Sequence, residues 1–453
     1  MFADFLGIRH ARRVGRSQVG SQPDNNVIET MRRADKMRVM RTAILRTGAI
    51  LLATVPVSTA QSQQTVSPNP GKDANGNPLR VAVKTGHVSN YDEDKVKPYR
   101  LPDPLVFAGG GRVADAAAWK KRRNELIEIY EKEIFGRIPA DAPHVTWTQL
   151  PIHGTLPSDT PDPVFVSGRI GDAADAPRMM LTIFFPPGAR GRVPLILALQ
   201  FGGGDTKVPD PPVANEILAR GWAYATLGYL DIQPDKINTF DQGVIGATPS
   251  SKTRGPDTWG AISAWAWGVS RAIDYLARDG RVGSIALHGH SRLGKTALWA
   301  SALDPRIAVV YASCPGEMGA ALSRRDFGET VDDMAQNFPY WFSDSFQQWV
   351  GRWNEMPVDA HMLIALSAPR PVFVTGGTQD QWADPKGEFL AEVAAGPVYT
   401  LLGAHDLGAT SLPAVDTPLI SGDLGWYYHT GPHAATTEDW LTFLTFAKKY
   451  LAK

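Results

Sequence analysis

The 453-residue chain has a single cysteine, Cys314, so no internal disulfide can staple it. It has no charge excess either, since 46 basic residues balance 46 acidic ones. A nucleic-acid binder needs a basic surplus or patch, so that class is set aside. Metal-ligand spacings are missing: there is no H-E-x-x-H and no cysteine pair. His288 and His290 straddle a turn that sends one of them into the core. No G-x-x-x-x-G-K-[ST] follows the glycines at 202–204, which removes the phosphate-loop reading. No internal repeat is visible. What remains is a globular composition, 43% hydrophobic and 20% charged, with no metal or cofactor implied.

The N-terminus reads as targeting sequence. Residues 1–36 are polar and Arg-rich without an apolar period. Residues 37–46 are positive, 47–57 are apolar, and Ser58-Thr59-Ala60 offers small residues ahead of Gln61. That is the layout of a secretory signal, and the apolar run is too short to span a bilayer. The expected start is Met37 or Met40, with a mature protein beginning near Gln61 and working outside the cytoplasm. Residues 1–60 are thus a leader and signal, 61–100 a Pro/Gly/Asn-rich linker or extended strap, and 101–453 one catalytic domain.

Within that domain, apolar spacing predicts an amphipathic helix over 114–134. Strands over 145–150, 164–170 and 179–185 alternate as antiparallel edge strands do. From Val193 the runs become continuously apolar, as in strands buried on both faces. Strands are expected near 194–199, 222–227, 285–287, 307–313, 371–375 and 398–402. Helices are expected over 215–219, 259–278, 386–395 and 437–451. Strand–helix alternation implies right-handed crossovers and a mostly parallel sheet wrapped by helices, an α/β fold. Residues 231–258 form a polar excursion, and 316–360 are irregular and aromatic-rich with one helix.

Residues 284–300 read as strand, sharp turn and helix, with Ser291 at the bend. Gly289 and Gly294 supply the small residues that such a turn needs. A serine there sits where α/β-hydrolases place a strained nucleophile elbow, its helix N-terminus facing developing negative charge. The usual G-x-S-x-G is altered, since the second glycine comes one place late. A capping serine would explain Gly-x-Ser alone equally well. The chain order Ser, acid, His adds weight. Asp380 lies in the first turn past strand 371–375, ahead of Asp384, for which helix capping suffices. Three histidines compete as base. His433 sits on a short Gly-Pro loop before the last helix and is preferred to His405 and His429. The Arg292 N–H qualifies as an oxyanion donor, and the loop through Gly203 resembles the one that supplies a second. Arg292 and Lys295 oppose the helix dipole, which favours a use facing the cleft.

Larger blocks then resemble a known family, the glucuronoyl esterases of carbohydrate esterase family fifteen. They are Gly289-His-Ser291-Arg292-Leu-Gly294-Lys295, residues 320–329, 337–342, 356–361 and 380–387, and Gly431-Pro-His433 followed by Glu438-Asp-Trp440. They fall in family-like order across residues 100–453. The resemblance implies a secreted, metal-free α/β-hydrolase, and a monomer is expected. Its substrate would be the ester between 4-O-methyl-glucuronoyl groups of xylan and lignin alcohols. It further implies that the Arg292 side chain completes the oxyanion hole and that Lys295, Glu329 and Trp382 contact the uronate. It explains the late Gly294, because the family carries Ser-Arg-x-Gly-Lys there. Many members hold a glutamate acid where this chain has Cys314. A thiol cannot orient an imidazole as a carboxylate does, and Glu317 is three positions on, so Asp380 is the expected acid. Trp341, Trp349, Trp353 and Trp382 are expected to rim the cleft, while Trp265, Trp267 and Trp440 are core. An acetyl xylan esterase with the same triad and a non-catalytic carbohydrate-binding protein are the alternatives.

Overall fold

The computed structural model describes residues 70–151, 163–202 and 211–451. The expected leader, the signal and Gly203 lie outside the described residues. Residues of the strap form a short hairpin, β1 (Val81–Ala82) and β2 (His87–Val88), and belong to the same compact unit as the rest, Val66–Lys453. Helix α1 (Ala116–Tyr130) follows, capped by the Asp115 side chain. Three edge strands come next, β3 (Val145–Leu150), β4 (Val164–Ile170) and β5 (Arg178–Phe184). The core strands are β6 (Val193–Gln200), β7 (Ala223–Gly228), β8 (Val282–His290), β9 (Ile307–Ser313), β10 (Val372–Gly377) and β11 (Leu424–His429). The helices among them are α2 (Pro211–Ala219), α3 (Ala261–Leu276), α4 (Arg292–Leu303), α5 (Pro385–Leu401) and α6 (Thr437–Ala447).

These strands form one nine-stranded sheet in the order β11-β10-β9-β8-β6-β7-β5-β4-β3. The first five pairings are parallel, and β7-β5, β5-β4 and β4-β3 are antiparallel. The alternation rule is visible in β6. Leu195, Leu197 and Leu199 join the large core with α3 and α4, while Ile196 and Ala198 join a smaller core with α2 and α6. A strand that must bury both faces has to be apolar throughout, which is why 194–199 carries no polar residue. Each such leucine is worth about 1.5–3 kcal/mol of burial. Helices therefore cover both faces, as expected of an α/β-hydrolase.

One element departs from expectation. Residues 398–402 are not a strand; helix α5 runs through Pro397 to Leu401. The Val-Tyr-Thr run has strand propensity, yet Val398 and Tyr399 are fully buried on the helix, and packing overrides local preference. The outer strand is instead Leu424–His429.

The bend after β8 is set by one close approach. A Cβ on Gly289 would lie 1.9 Å from the Leu293 carbonyl oxygen, so the first turn of α4 folds back onto the strand end. A Cβ on Gly294 would stand 3.1 Å from Pro315 and 3.2 Å from the Gly289 carbonyl oxygen, which favours the second glycine at that place. Ser291 between them has φ 58° and ψ −127°, a conformation that costs a non-glycine residue on the order of 1–3 kcal/mol. Gly289→Ala is expected to lower stability by about 3 kcal/mol, the upper end for overpacking. Gly280→Ala, where nothing lies within 4 Å, is the near-neutral control. Thermal denaturation of both variants checks this, and equal melting temperatures would contradict it.

Candidate active site

Ser291 is held at the bend by its N–H donating to the Ser313 carbonyl at 2.8 Å. The elbow thus hangs on the neighbouring strand β9. His433 comes from the loop before α6, and its Nδ1 stands 2.5 Å from Asp380 Oδ2. Asp380 is buried in the turn after β10 while the His433 side chain is 41% exposed, so the acid is sheltered and the base faces outward. The elbow and this loop meet: the ring of His290, next to Ser291, lies 4.5 Å from that of His433. Burial and the neighbouring His433 and His429 push His290 down to about 3, so it stays neutral and adds no charge beside the base. Its Nδ1 is 3.0 Å from Ser313 Oγ. His288 points the other way, between Tyr311 and Trp440, as one of the pair was expected to.

The other candidates have separate surroundings. Asp384 caps α5 by accepting from the Gly387 N–H at 2.9 Å and pairs with Arg325 at 2.8 Å. His405 lies on the surface, its side chain 85% exposed beside Asp423. Glu317 is buried and accepts from Ser323 Oγ at 2.5 Å, with burial holding its carboxyl well above the usual range. Cys314 stands close to the pair: its Sγ, an Asp380 oxygen and a His433 nitrogen all lie within 4.8 Å of one another. The thiol is buried, and desolvation plus the charges of Glu388, Asp380 and Asp439 raise its pKa strongly.

Arg292 opens α4. Its Nη1 is paired with Asp235 Oδ2, and its guanidinium lies 4.9 Å from the Trp341 ring centre. Asp235 also accepts from Tyr229 at 2.8 Å, Tyr340 at 2.9 Å and Trp341 Nε1 at 2.7 Å. Burial alone would raise this carboxyl; the Trp341 hydrogen bond and the Arg292 charge outweigh it and hold it low. Asp235 lies in the polar excursion after β7 and was not picked from the sequence. An aspartate in a Pro-rich loop has no local signature, and its four donors come from 229, 292, 340 and 341.

Lys295 is buried and donates to the Pro315 carbonyl at 2.6 Å. Desolvation lowers its pKa, partly offset by Glu329, Glu317 and Glu388. Glu329 is half-buried and is raised to about 7, chiefly by desolvation against the pull of Lys295. Its backbone N–H donates to the Trp382 carbonyl at 2.8 Å, which sets the two residues side by side. The strap reaches this point too: the Arg80 guanidinium lies 4.3 Å from the Trp382 ring centre. The strap is tied there by Gly328 N–H to the Asn90 carbonyl at 2.8 Å and by His87 to Asp326 at 2.6 Å. Of the tryptophans expected to rim the cleft, Trp341 and Trp353 are buried instead. Trp341 spends its N–H on Asp235, and Trp353 packs edge-on against His87 of the strap at 5.3 Å. Trp382 keeps partial exposure.

A protonated, buried thiol reacts slowly with disulfide reagents. Ellman's reagent at neutral pH is expected to find less than about one-tenth of an equivalent in the native protein within minutes. It should find the one cysteine of the chain after unfolding. Rapid native labelling would show that Cys314 is accessible.

The glucuronyl esterase model built on fungal sequences matches residues 177–403. Carbohydrate esterase MZ0003, from an unknown prokaryotic organism, is 37% identical over 400 residues, covering 80% of this chain and 92% of its own. 4-O-methyl-glucuronoyl methylesterase 1 of Wolfiporia cocos is 28% identical over 388 residues, covering 80% and 82%. Among solved structures, a glucuronoyl esterase from Solibacter usitatus is 36% identical, with TM-score 0.73 over 78% of this chain and 99% of that one. A promiscuous CE15 esterase from the marine bacterial metagenome is 35% identical, with TM-score 0.73 over 80% and 100%. The chain shares its α/β-hydrolase fold with these relatives over most of their lengths, and it is a carboxylic ester hydrolase of the glucuronoyl esterase family, carbohydrate esterase family fifteen.

Proposed function

We propose that this protein hydrolyses the ester between 4-O-methyl-glucuronoyl groups of glucuronoxylan and lignin alcohols through a glucuronoyl-enzyme on Ser291. The observation that carries the proposal is the bond of His433 Nδ1 to Asp380 at 2.5 Å, beside the strained Ser291 bend. With Nδ1–H directed at a carboxylate, Nε2 is the free lone pair. It takes the Ser291 proton as Oγ adds to the ester carbonyl, then returns it to the departing alcohol. Water enters by the same route and releases the uronic acid. Asp380 holds the ring and stabilises the imidazolium. The negative oxygen of each tetrahedral intermediate meets the Arg292 N–H at the start of α4 and the guanidinium of Arg292. Lys295, Glu329 and Trp382 make up the uronate side of the site, Trp382 offering an aromatic face to the sugar ring, while the buried Trp341 acts through Asp235.

Secretion before action is part of this reading, because the polysaccharide lies outside the cell. Among the described residues no helix is long and apolar enough to cross a membrane. The active species is a monomer without a metal.

Two experiments test it. Asp380→Asn should cut kcat by about 10⁴-fold, as loss of the orienting acid does in a triad, while Glu317→Gln stays within about tenfold. The reverse order would assign the acid to Glu317. A methyl glucuronate ester should be preferred over acetylated xylan; preference for the acetyl substrate favours an acetyl xylan esterase. Absence of turnover, with no covalent labelling of Ser291 by a sulfonyl fluoride, favours a carbohydrate-binding protein. A further expectation concerns Asp235. Replacing it by Asn leaves the guanidinium of Arg292 without its counter-charge and free to swing. The kcat should fall by about 10- to 100-fold, somewhat less than removal of an oxyanion donor, with KM little changed. An unaltered kcat would separate Asp235 from the oxyanion site.

A further inference from the structure

His429 is the last residue of β11, and its side chain is 2% exposed. Both ring nitrogens face oxygen atoms. Nδ1 is 3.0 Å from Asp439 Oδ1, and Nε2 is 3.1 Å from the Pro432 carbonyl oxygen. A carbonyl oxygen only accepts. Asp439, in the first turn of α6, is an acceptor as well: its other oxygen takes the Thr436 N–H at 2.7 Å. A neutral imidazole carries one N–H, so one of the two contacts would set a lone pair against an oxygen in a buried place. Only the doubly protonated ring donates to both.

The Pro432 carbonyl belongs to the peptide unit that leads into His433. The same loop is bound to the turn that carries Asp380, by Gln379 N–H to the Gly431 carbonyl at 2.8 Å and Gly431 N–H to Thr378 Oγ1 at 3.0 Å. The fit is close. A Cβ on Gly377 would stand 2.6 Å from the Pro432 oxygen and 2.8 Å from His429 Nε2.

We propose that His429 is a positioning residue, held as an imidazolium, whose Nε2–H clamps the Pro432 carbonyl and fixes the loop that carries His433. The proposal rests on His433 being the base. The charged and titratable groups around the ring are Asp439 from α6, Asp380 from the turn after β10, Asp416 from the segment before β11, and His290 at the end of β8. Three of these are carboxylates, and His290 is neutral. Burial opposes the charge on His429, but the Asp439 hydrogen bond and charge outweigh it and raise its pKa above the ordinary value. A raised folded-state pKa means that the clamp is complete below the unfolded value, about 6.5, and is lost as pH rises through the folded one. The enzyme should therefore lose kcat on the alkaline side as His429 gives up its proton.

Nitrogen-15 NMR of the histidine-labelled wild-type protein decides the charge state. At the free imidazole midpoint, about pH 6.5, both ring nitrogens of His429 should show predominantly imidazolium shifts. The signal is assigned by its loss in His429→Gln. A neutral tautomer at that pH overturns the proposal, whatever the variant does. In kinetics, His429→Gln can satisfy only part of the clamp. It should lose about tenfold or more in kcat with KM within about twofold, as a misplaced base does. The alkaline fall of kcat should disappear, while the acid limb stays. An unchanged kcat and an unchanged alkaline limb overturn the proposal too. If His433→Ala remains fully active, the reading of the base fails first and the clamp with it, whereas an inactive His433→Ala with a neutral His429 sinks the clamp alone.

Discussion

The structure depends on how closely the end of β8 approaches the first turn of α4. No side chain fits at Gly289, because the Leu293 carbonyl occupies its place. With so little room, the chain can only turn by putting Ser291 at positive φ. That strain is repaid by the surroundings: Ser291 is hydrogen-bonded to β9, and Leu293, Ala297 and Leu298 are fully buried beneath it. The result is a hydroxyl carried on a rigid corner at the carboxyl end of a parallel sheet, where open α/β folds build their sites.

Around that corner, three aspartates each hold one positively charged or proton-carrying group. Asp235 pairs with Arg292, Asp380 with His433, and Asp439 with His429. The three acids come from a loop, the turn after a strand and a helix start. Each is sheltered more than its partner or as much, so the anion stays fixed and the cation or ring is aimed by it. Single-donor contacts would leave a buried carboxylate half satisfied and costly. Here Asp235 takes four donors, and Asp439 takes the His429 ring together with the Thr436 N–H.

The strap adds a layer that composition alone could not place. Its Pro, Gly and Asn content reads as linker, since nothing local marks which surface it covers. Its order comes from partners more than 200 positions away, such as His87 with Asp326 and Asn90 with the Asp326 carbonyl. It brings Arg80 to the ring of Trp382 and covers Trp353, one reason that buried tryptophans in 337–353 look, in sequence, like rim residues.

What the amino-acid order determines by itself is local. Continuous apolar runs mark β6 and β9, alternation marks β3 and β4, Thr436 with Asp439 marks the start of α6, and Gly289 with Gly294 marks the bend. Each follows from periodicity or from the steric freedom of one residue. The chain order Ser291, Asp380, His433 is also readable, because the fold repeats that order. Tertiary structure decided the rest. Residues 398–401 became helix because Val398 and Tyr399 are buried in the core on that helix. Asp235, Arg80 and His429 acquired partners through contacts that no spacing encodes. A hydrogen bond between residues brought together by a sheet depends on where the strands stop, and that distance exists only once the whole core has closed.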